Sequence, residues 1–485
     1  MDWWSNLWLN EGFATYMQYS GADFIEQHWR MMDLFVVNEM QPILKAEAVA
    51  PMHPLSVSTN STHHLDAIFD RVIYSKGSSV IRMMVHFLTP KVFLKGIKSY
   101  LQKYRFKNAG LGDLFAELSE AQTAEPKVNL LSAMDSWIKV PGYPLLTVTR
   151  NYTNGAVALK QEPYAPTVNT ENDRETVWHI PVTHTSKYDR QLHRNATFEW
   201  LTEKTGSLNR TVDSKEWLIV NVQRVGYYRV NYDPFNWRLL QSQLKDNPLA
   251  IHVLNRAQLI DDALDLAKHG FLAYDVALEF LELVRPDDDY MPWKAALDGI
   301  HDLDFLVYVK FVLENRFDAF TQGKRKVEVM ADKALRKNPW RTMVVLCQGV
   351  RIDNGSHWQF VLDNVAAATT QEGKRAAMRA LGCIGDKKRL KTHGTGTQVT
   401  HAIRAVVAGL RSTDRLAKMK KYYKRSVHSR HGVSHKVDAA FAAALSDAEK
   451  GLEWSQRHGE EVEKWLDSKL AKYPYLYEDL VKSIY

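Results

Sequence analysis

The sequence predicts a multidomain α+β chain: a mainly helical segment, a segment of short strands, then a long helical segment. Three observations carry that reading. The 485 residues exceed what one hydrophobic core serves. The apolar period is helical over residues 1–140, changes to short β-branched and aromatic runs over 141–233, and returns to helical over 234–485. Proline marks both changes, at Val140-Pro141-Gly142-Tyr143-Pro144 and at Tyr232-Asp233-Pro234.

In the first segment Val80, Ile81, Met84, Val85 and Leu88 recur on one helix face, which predicts a helix over Ser78–Leu88. Further helices are expected over Val92–Tyr104 and Leu114–Ala121, the latter entered through a turn at Leu111-Gly112-Asp113. Residues 50–65, with Pro51, Pro54 and many Ser, Thr and His residues, read as a loop that exposes His63 and His64. Six runs in the middle segment read as strands: Leu145–Thr149, Ala156–Lys160, Val177–Val182, Thr197–Leu201, Trp217–Val222 and Tyr227–Asn231. Short strands at this spacing predict a β-sandwich domain over 141–233. Beyond it, helices separated by small polar turns predict an α-helical solenoid domain over 234–485, without a repeat of fixed period.

A 45% hydrophobic and 25% charged composition is that of a globular protein, not a disordered one. The formal charge of +7 is spread along the chain and does not call for nucleic acid. No run of about 18 apolar residues appears. The start lacks the basic and apolar stretches of a signal peptide, and Leu480–Tyr485 is not a hydrophobic anchor tail. Five Asn-x-Ser/Thr triplets, at Asn60, Asn151, Asn195, Asn209 and Asn354, point instead to a secreted or luminal origin.

Two stretches carry candidate chemistry. In Trp3-Trp4-Ser5-Asn6-Leu7-Trp8-Leu9-Asn10-Glu11-Gly12-Phe13-Ala14 a single carboxylate sits in an apolar run, and the first Lys or Arg is Arg30. A carboxylate so placed needs a metal or a partner if it is buried; otherwise Glu11 is an ordinary acid favoured in the first turn of a helix. The second stretch is Phe69-Asp70-Arg71-Val72-Ile73-Tyr74-Ser75-Lys76-Gly77-Ser78-Ser79-Val80, in which Tyr74 is either a hydrogen-bond donor to a reacting group or a tyrosine packing a helix start. Two weaker signals lie near the end. His428, His431 and His435 have the spacing of one helix face, with Gly432 among them, and read as a solvated helix end rather than a metal site. The basic stretch 415–436, with Tyr422 and Tyr423 interleaved, is either a polyanion patch or a charged helical face.

Asn10-Glu11-Gly12-Phe13-Ala14 and Tyr74-Ser75-Lys76-Gly77-Ser78-Ser79-Val80 resemble two segments of the aminopeptidase N-like zinc metallopeptidases, the gluzincin aminopeptidases. Trp137–Pro144, Gly226–Asp233, Asn255–Ala263 and Tyr290–Trp293 resemble further family segments in the same order. The resemblance is clear to about residue 300 and persists beyond as a helical pattern, with a recognisable end near Trp454–Leu466. It implies that residues 1–140 are the helical half of a thermolysin-like catalytic domain, followed by the sandwich and a solenoid that cups the active site.

The resemblance makes Glu11 the third protein ligand of a catalytic zinc and Tyr74 the donor to the tetrahedral oxyanion, a contact worth about 3–4 kcal/mol of barrier. Ser79 is a mild variation at a small-residue position. The family's His-Glu-x-x-His helix and Gly-x-Met-Glu-Asn strand have no counterpart in the 485 residues. The chain therefore reads as the C-terminal portion of an enzyme that removes N-terminal residues from peptides. Alone it is expected to be inactive and to hold no zinc at a tetrahedral site. Its early tryptophans, with Phe13 and Tyr16, are expected to be partly uncovered. The full-length protein is expected outside the cell, membrane-attached or secreted, with peptides as partners and no nucleic acid; a homodimer is compatible with this.

Cys347 and Cys383 lie 36 residues apart among expected helices, enough for two neighbouring hairpins to bring the thiols together. The resemblance adds a family bridge of similar placement; two buried free thiols are the alternative. The rival to the enzyme reading is a non-catalytic isoform or paralogue that uses sandwich and solenoid to bind proteins or polyanions.

Overall fold

The computed structural model describes residues 4–49, 52–57, 68–123, 127–164, 176–189, 198–284, 286–302, 413–424 and 435–472. The chain divides into two compact units, Met1–His301 and Asp302–Tyr485. The expected boundaries at 140 and 233 both fall inside the first unit.

The first unit opens with a 3-10 turn, Trp4–Asn6, that runs into helix α1, Leu7–Ile25. Helix α2, Met31–Phe35, continues through a π-helical turn, Val36–Met40, into α3, Gln41–Val49. A second π-helical turn, Val72–Lys76, leads directly into α4, Gly77–Leu88. Helix α5, Pro90–Lys103, begins on a proline, whose missing N–H costs nothing at a helix start. Helix α6 is Leu111–Ala121. The expected entry turn Leu111-Gly112-Asp113 is already helical, because the Asp113 carboxylate accepts the Gly110 N–H at 2.9 Å and moves the cap back to Gly110. Helix α7, Leu130–Lys139, is capped by Asn129, which accepts the Ser132 N–H.

Among the described residues seven strands form two sheets. One has the order β5-β2-β1-β7, from Thr205–Ser207, Val157–Pro163, Pro144–Arg150 and Arg229–Tyr232; the other has the order β4-β3-β6, from Phe198–Leu201, Ile180–Ser186 and Leu218–Val220. Strand β1 pairs antiparallel with β2 and parallel with β7, with Leu146 opposite Gln161 and Val230. Alternate β2 residues Val157, Leu159 and Gln161 are buried while Ala158 and Lys160 face out, the pattern of a half-covered sheet. The Val220 N–H, at the end of β6, donates to the Tyr232 hydroxyl on β7 at 2.9 Å and ties one sheet to the other. Four helices follow: α8 Pro234–Asp246, capped by Asp233; α9 Val253–Lys268; α10 Tyr274–Leu283; and α11 Tyr290–Asp302.

A buried polar network runs through this unit. Arg229 on β7 reaches Asp261 at 2.7 Å, Asp262 at 2.8 Å and Asp265 at 3.0 Å, all on α9. Arg224 adds contacts to Asp261 and Asp262, and Lys45 on α3 lies 3.4 Å from Asp261. Burial acts to raise the Asp261 carboxyl, yet Arg229, Lys45 and Arg224 together hold it below its ordinary value; Asp262 is raised, since there burial outweighs the same arginines.

Two of the early aromatic residues are more covered than the sequence implied, and two are partly uncovered as expected. Trp8 is wholly buried and Tyr16 nearly so, while Trp4 and Phe13 are half-buried. Helix α4 packs along α1, and Phe93 of α5 stacks on Phe13 at 6.1 Å and meets Tyr16 edge-on. Trp3 lies outside the described residues.

In the second unit, α12 is Thr413–Tyr423 and α13 is His435–Lys472. Tyr423 stacks on Phe441 at 5.5 Å and donates to Asp438 at 2.8 Å, and Lys420 pairs with Glu449 at 2.6 Å. Lys420 and Tyr423 of the basic stretch are thus engaged within a helix pair. His428 and His431 lie outside the described residues. No described helix is long and apolar enough to cross a membrane.

Removing one partner of a buried ionic cluster leaves the others uncompensated. Arg229→Ala is expected to destabilise the chain by about 3–5 kcal/mol. Arg210→Ala, which breaks a partly exposed pair with Asp189, is expected to lose less than about 1 kcal/mol. Urea unfolding of both variants measures the difference, and equal losses would refute the structural weight given to Arg229.

Candidate active site

The two motif stretches meet through their glycines. A Cβ on Gly12 would lie 2.9 Å from the Gly77 carbonyl carbon and 3.2 Å from its Cα. Only glycine lets the backbones of α1 and α4 approach so closely. This contact sets Glu11, one residue before Gly12, near Tyr74, three residues before Gly77.

Glu11 is half-buried and is the fifth residue of α1, beyond the first turn, so the helix-dipole account does not explain it. Among the described residues no Lys, Arg or His forms an ion pair with it. Its neighbour is Tyr74, half-exposed in the π-helical turn. Burial raises the Tyr74 phenol above its ordinary pKa, and the Glu11 carboxylate adds to this by its charge and by accepting a hydrogen bond. Such π-helical turns inside helices often mark functional sites.

The next two side chains of the turn meet carboxylates as well. Ser75 donates to Glu39 at 2.6 Å, and Glu39 also accepts from Tyr19 of α1 at 3.0 Å. Burial and the Glu39 carboxylate push the Tyr19 phenol up to about 12. Lys76, wholly buried, donates to Glu47 of α3 at 3.0 Å and to the Gly142 carbonyl at 2.8 Å. Glu47 also accepts from the Tyr227 hydroxyl at 2.7 Å. Tyr74, Ser75 and Lys76 therefore face acids on α1, on the first π-helical turn and on α3. Upstream, Asp70 accepts the Val72 N–H at 2.8 Å and opens the turn.

The sequence reading singled out Glu11 and Tyr74 but assigned no role to Glu39, Glu47, Asp70 or His53. Asp70 carried a local signal, an acid two residues before an apolar helical run. Glu39 and Glu47 carried none, because their partners lie 36 and 29 positions further along the chain. Of the glycosylation candidates, Asn151 and Asn209 are exposed on turns between strands. Asn60, Asn195 and Asn354 lie outside the described residues, as do Cys347 and Cys383. Among the described residues no group of three or more His, Cys, Asp or Glu side chains is arranged to hold a metal ion.

The family model for the Peptidase family M1 domain matches residues 1–137, and that for the ERAP1-like C-terminal domain matches residues 217–339. The chain belongs to the aminopeptidase N-like M1 peptidase family. It is 37% identical over 310 residues to aminopeptidase N of Oryctolagus cuniculus, covering 62% of this chain and 32% of the relative. It is 32% identical over 438 residues to aminopeptidase N of Plutella xylostella, covering 80% and 46%. To the thyrotropin-releasing hormone-degrading ectoenzyme of Homo sapiens it is 33% identical over 448 residues, covering 80% and 42%. The M1 chain thus spans between about a third and just under half of these curated relatives.

Both stretches that form the Glu11–Tyr74 pair fall within the M1 match. Gly12→Ala forces α1 away from α4 and is expected to cost about 1–3 kcal/mol. Gly21→Ala, on the same helix with open space around it, is expected to stabilise by about 0.5–1 kcal/mol. Thermal unfolding of the two variants should move in opposite directions; a neutral Gly12→Ala would show that the close approach is not required.

Proposed function

We propose that this chain forms part of a zinc-dependent aminopeptidase that hydrolyses the N-terminal residue of peptides. The observation that carries the reading is the Glu11–Tyr74 pair: a carboxylate with no described cationic partner, set beside a phenol by the contact of two glycines. In this reading Glu11 is one protein ligand of the zinc. Zinc, when bound, supplies Lewis-acid polarisation and an activated water. One carboxylate does not complete a tetrahedral site, and the described residues offer it no companion ligands. In this proposal the remaining ligands are supplied from outside these 485 residues, so that the chain alone carries out no hydrolysis.

Tyr74 acts where negative charge develops. Its hydroxyl donates a hydrogen bond to the oxyanion formed when water adds to the scissile carbonyl. An ordinary phenol keeps its proton across the neutral range, and burial and the Glu11 carboxylate move Tyr74 further in that direction. In the same proposal residues 1–140, 141–233 and 234–485 act as the helical half of the catalytic domain, a β-sandwich and an α-helical solenoid. The substrates are peptides, the full-length protein works at the outer face of a membrane or as a secreted protein, and Asn151 and Asn209 are accessible to glycosylation.

The test restores the missing ligands. A chimera places the segment of Oryctolagus cuniculus aminopeptidase N that precedes the matched region in front of this chain. It is expected to bind one zinc per chain and to cleave aminoacyl-anilides. Glu11→Ala should remove the zinc. Tyr74→Phe should keep the zinc and lower kcat by about 100–1,000-fold with little change in KM. Full activity in the Tyr74→Phe chimera would overturn the role given to that residue. A bridge between Cys347 and Cys383 belongs to the same extracellular reading. Peptide mapping of secreted protein without reductant is expected to recover the two cysteines in one linked pair, and two alkylatable thiols would exclude it.

A further inference from the structure

The start of the turn that carries Tyr74 is held by a His–Asp pair to which the proposed function gives no role. Asp70 Oδ1 accepts the Val72 N–H at 2.8 Å and the Ile73 N–H at 3.4 Å. Its other oxygen, Oδ2, lies 3.2 Å from His53 Nε2. His53 Nδ1 lies 2.7 Å from the Pro54 carbonyl oxygen. A carbonyl oxygen can only accept, so Nδ1 carries a proton. In the neutral ring with that tautomer, the unprotonated Nε2 would lie beside a carboxylate oxygen. Protonation of both nitrogens turns that contact into an ion pair at 3.2 Å, in which Nε2 is not in line for a hydrogen bond.

The segment holding His53 is fixed independently of this pair. Leu55 is 1% exposed, and the Ser56 N–H donates to the Ile138 carbonyl at 3.0 Å. The charged groups that face His53 are the Asp70 carboxylate and, in opposition, the Lys76 ammonium. The contact with Asp70 raises the His53 pKa, partly offset by burial. Burial acts to raise Asp70, but His53 and the two backbone donors hold it below the ordinary carboxylate value.

We propose that His53, as an imidazolium, positions Tyr74 against Glu11 by holding Asp70 across the opening of the π-helical turn. This rests on the reading of Tyr74 as the oxyanion donor and gives that site a pH-dependent positioning residue. The sign follows from the directions of the two shifts. A raised histidine contributes anchoring that is complete below its ordinary pKa and is lost as pH rises through the raised value. A depressed carboxylate contributes anchoring that is present above its ordinary pKa and is lost as pH falls through the lowered value. Tyr74 is held between these limits and released on the alkaline side.

The experiment uses the full chain labelled with 13Cζ-tyrosine, with the Tyr74 signal assigned by its loss in Tyr74→Phe. The His53 ring is followed in parallel from about pH 6 to about pH 9. The Tyr74 signal is expected to move with the His53 midpoint, which should lie above the ordinary histidine value. In His53→Gln the signal should sit at its high-pH position throughout. In Asp70→Asn the pH dependence should vanish, and the Val72 and Ile73 amides should exchange faster. Glu11→Gln should shift the signal at every pH. A signal that responds to Glu11→Gln but ignores the His53 titration overturns the positioning role and leaves the Glu11–Tyr74 pairing intact. A signal unmoved by Glu11→Gln overturns both.

Discussion

The first unit is organised by a rule that permits little freedom: a charge taken out of water must find an opposite charge or hydrogen-bonding groups there. Four buried or nearly buried cations, Lys45, Lys76, Arg224 and Arg229, face four buried acids, Glu47, Asp261, Asp262 and Asp265. These residues come from α3, the second π-helical turn, the turn before β7, β7 itself and α9. Tyr143 joins the two ends of the network. It donates to the Leu44 carbonyl on α3 at 2.7 Å and accepts from Arg229 at 3.2 Å. Hydrophobic contacts could slide by a fraction of a side chain; a network of buried ions cannot, since each displaced partner leaves an unpaired charge. It therefore fixes how the helices before the sheets and the helices after them sit on the same strands.

The candidate active site inherits that rigidity. Lys76, two residues after Tyr74, is anchored at once to Glu47 and to the backbone at Gly142, where helix gives way to strand. Arg82, about two turns along the same helical run and wholly desolvated, donates through both terminal nitrogens to the Gln223 and Arg224 carbonyls. Those carbonyls belong to a turn in which Asn221, Gln223 and Arg224 all have positive φ, strained for residues with a Cβ. Burial lowers the Arg82 pKa to about 10, and the positive field of Arg224 works in the same direction. The helix that follows Tyr74 is thus held at its start and at its middle by the sheet-bearing part of the unit.

The fold was legible where apolar spacing decides structure, and opaque where polar pairing does. The helix expected over Ser78–Leu88 occupies Gly77–Leu88, since its apolar stripe is continuous. Strand β5, Thr205-Gly206-Ser207, is exposed throughout and carries no alternation, so nothing in its residues separates it from a loop. Strand β3 begins at Ile180, not Val177, because Trp178 spends its N–H on the Gln161 side chain instead of a ladder partner. Helix α9 is the instructive case. Its acids Asp261, Asp262 and Asp265 are buried because Arg224 and Arg229 meet them. Local sequence holds the charges but not the pairing. At the site, Glu11 and Tyr74 were visible as residues; that Gly12 and Gly77 touch was not, because each glycine alone reads only as a break in side-chain bulk.

Three adjacent side chains, each meeting an acid on a different element, explain why the turn at Tyr74 has one register. Consecutive residues of a helix point about 100° apart, so three of them sweep roughly 200°. Such a turn must be enclosed on several sides, and α1, the first π-helical turn and α3 provide Glu11, Glu39 and Glu47 there. A slip by one residue would set the hydrocarbon side chain of Ile73 against Glu11. A slip in the opposite direction would move the Lys76 ammonium from Glu47 towards Glu39 and leave Glu47 without its cation. A buried acceptor stripped of its donor costs about 1–3 kcal/mol, and more when it is charged. The slip is therefore opposed at each acid it disturbs. Ser75 and Lys76 need do no chemistry for this. Their hydroxyl and ammonium fix the angle at which the Tyr74 phenol leaves the helix. Gly77 then lets the backbone of α1 come close enough for Glu11 to receive that phenol.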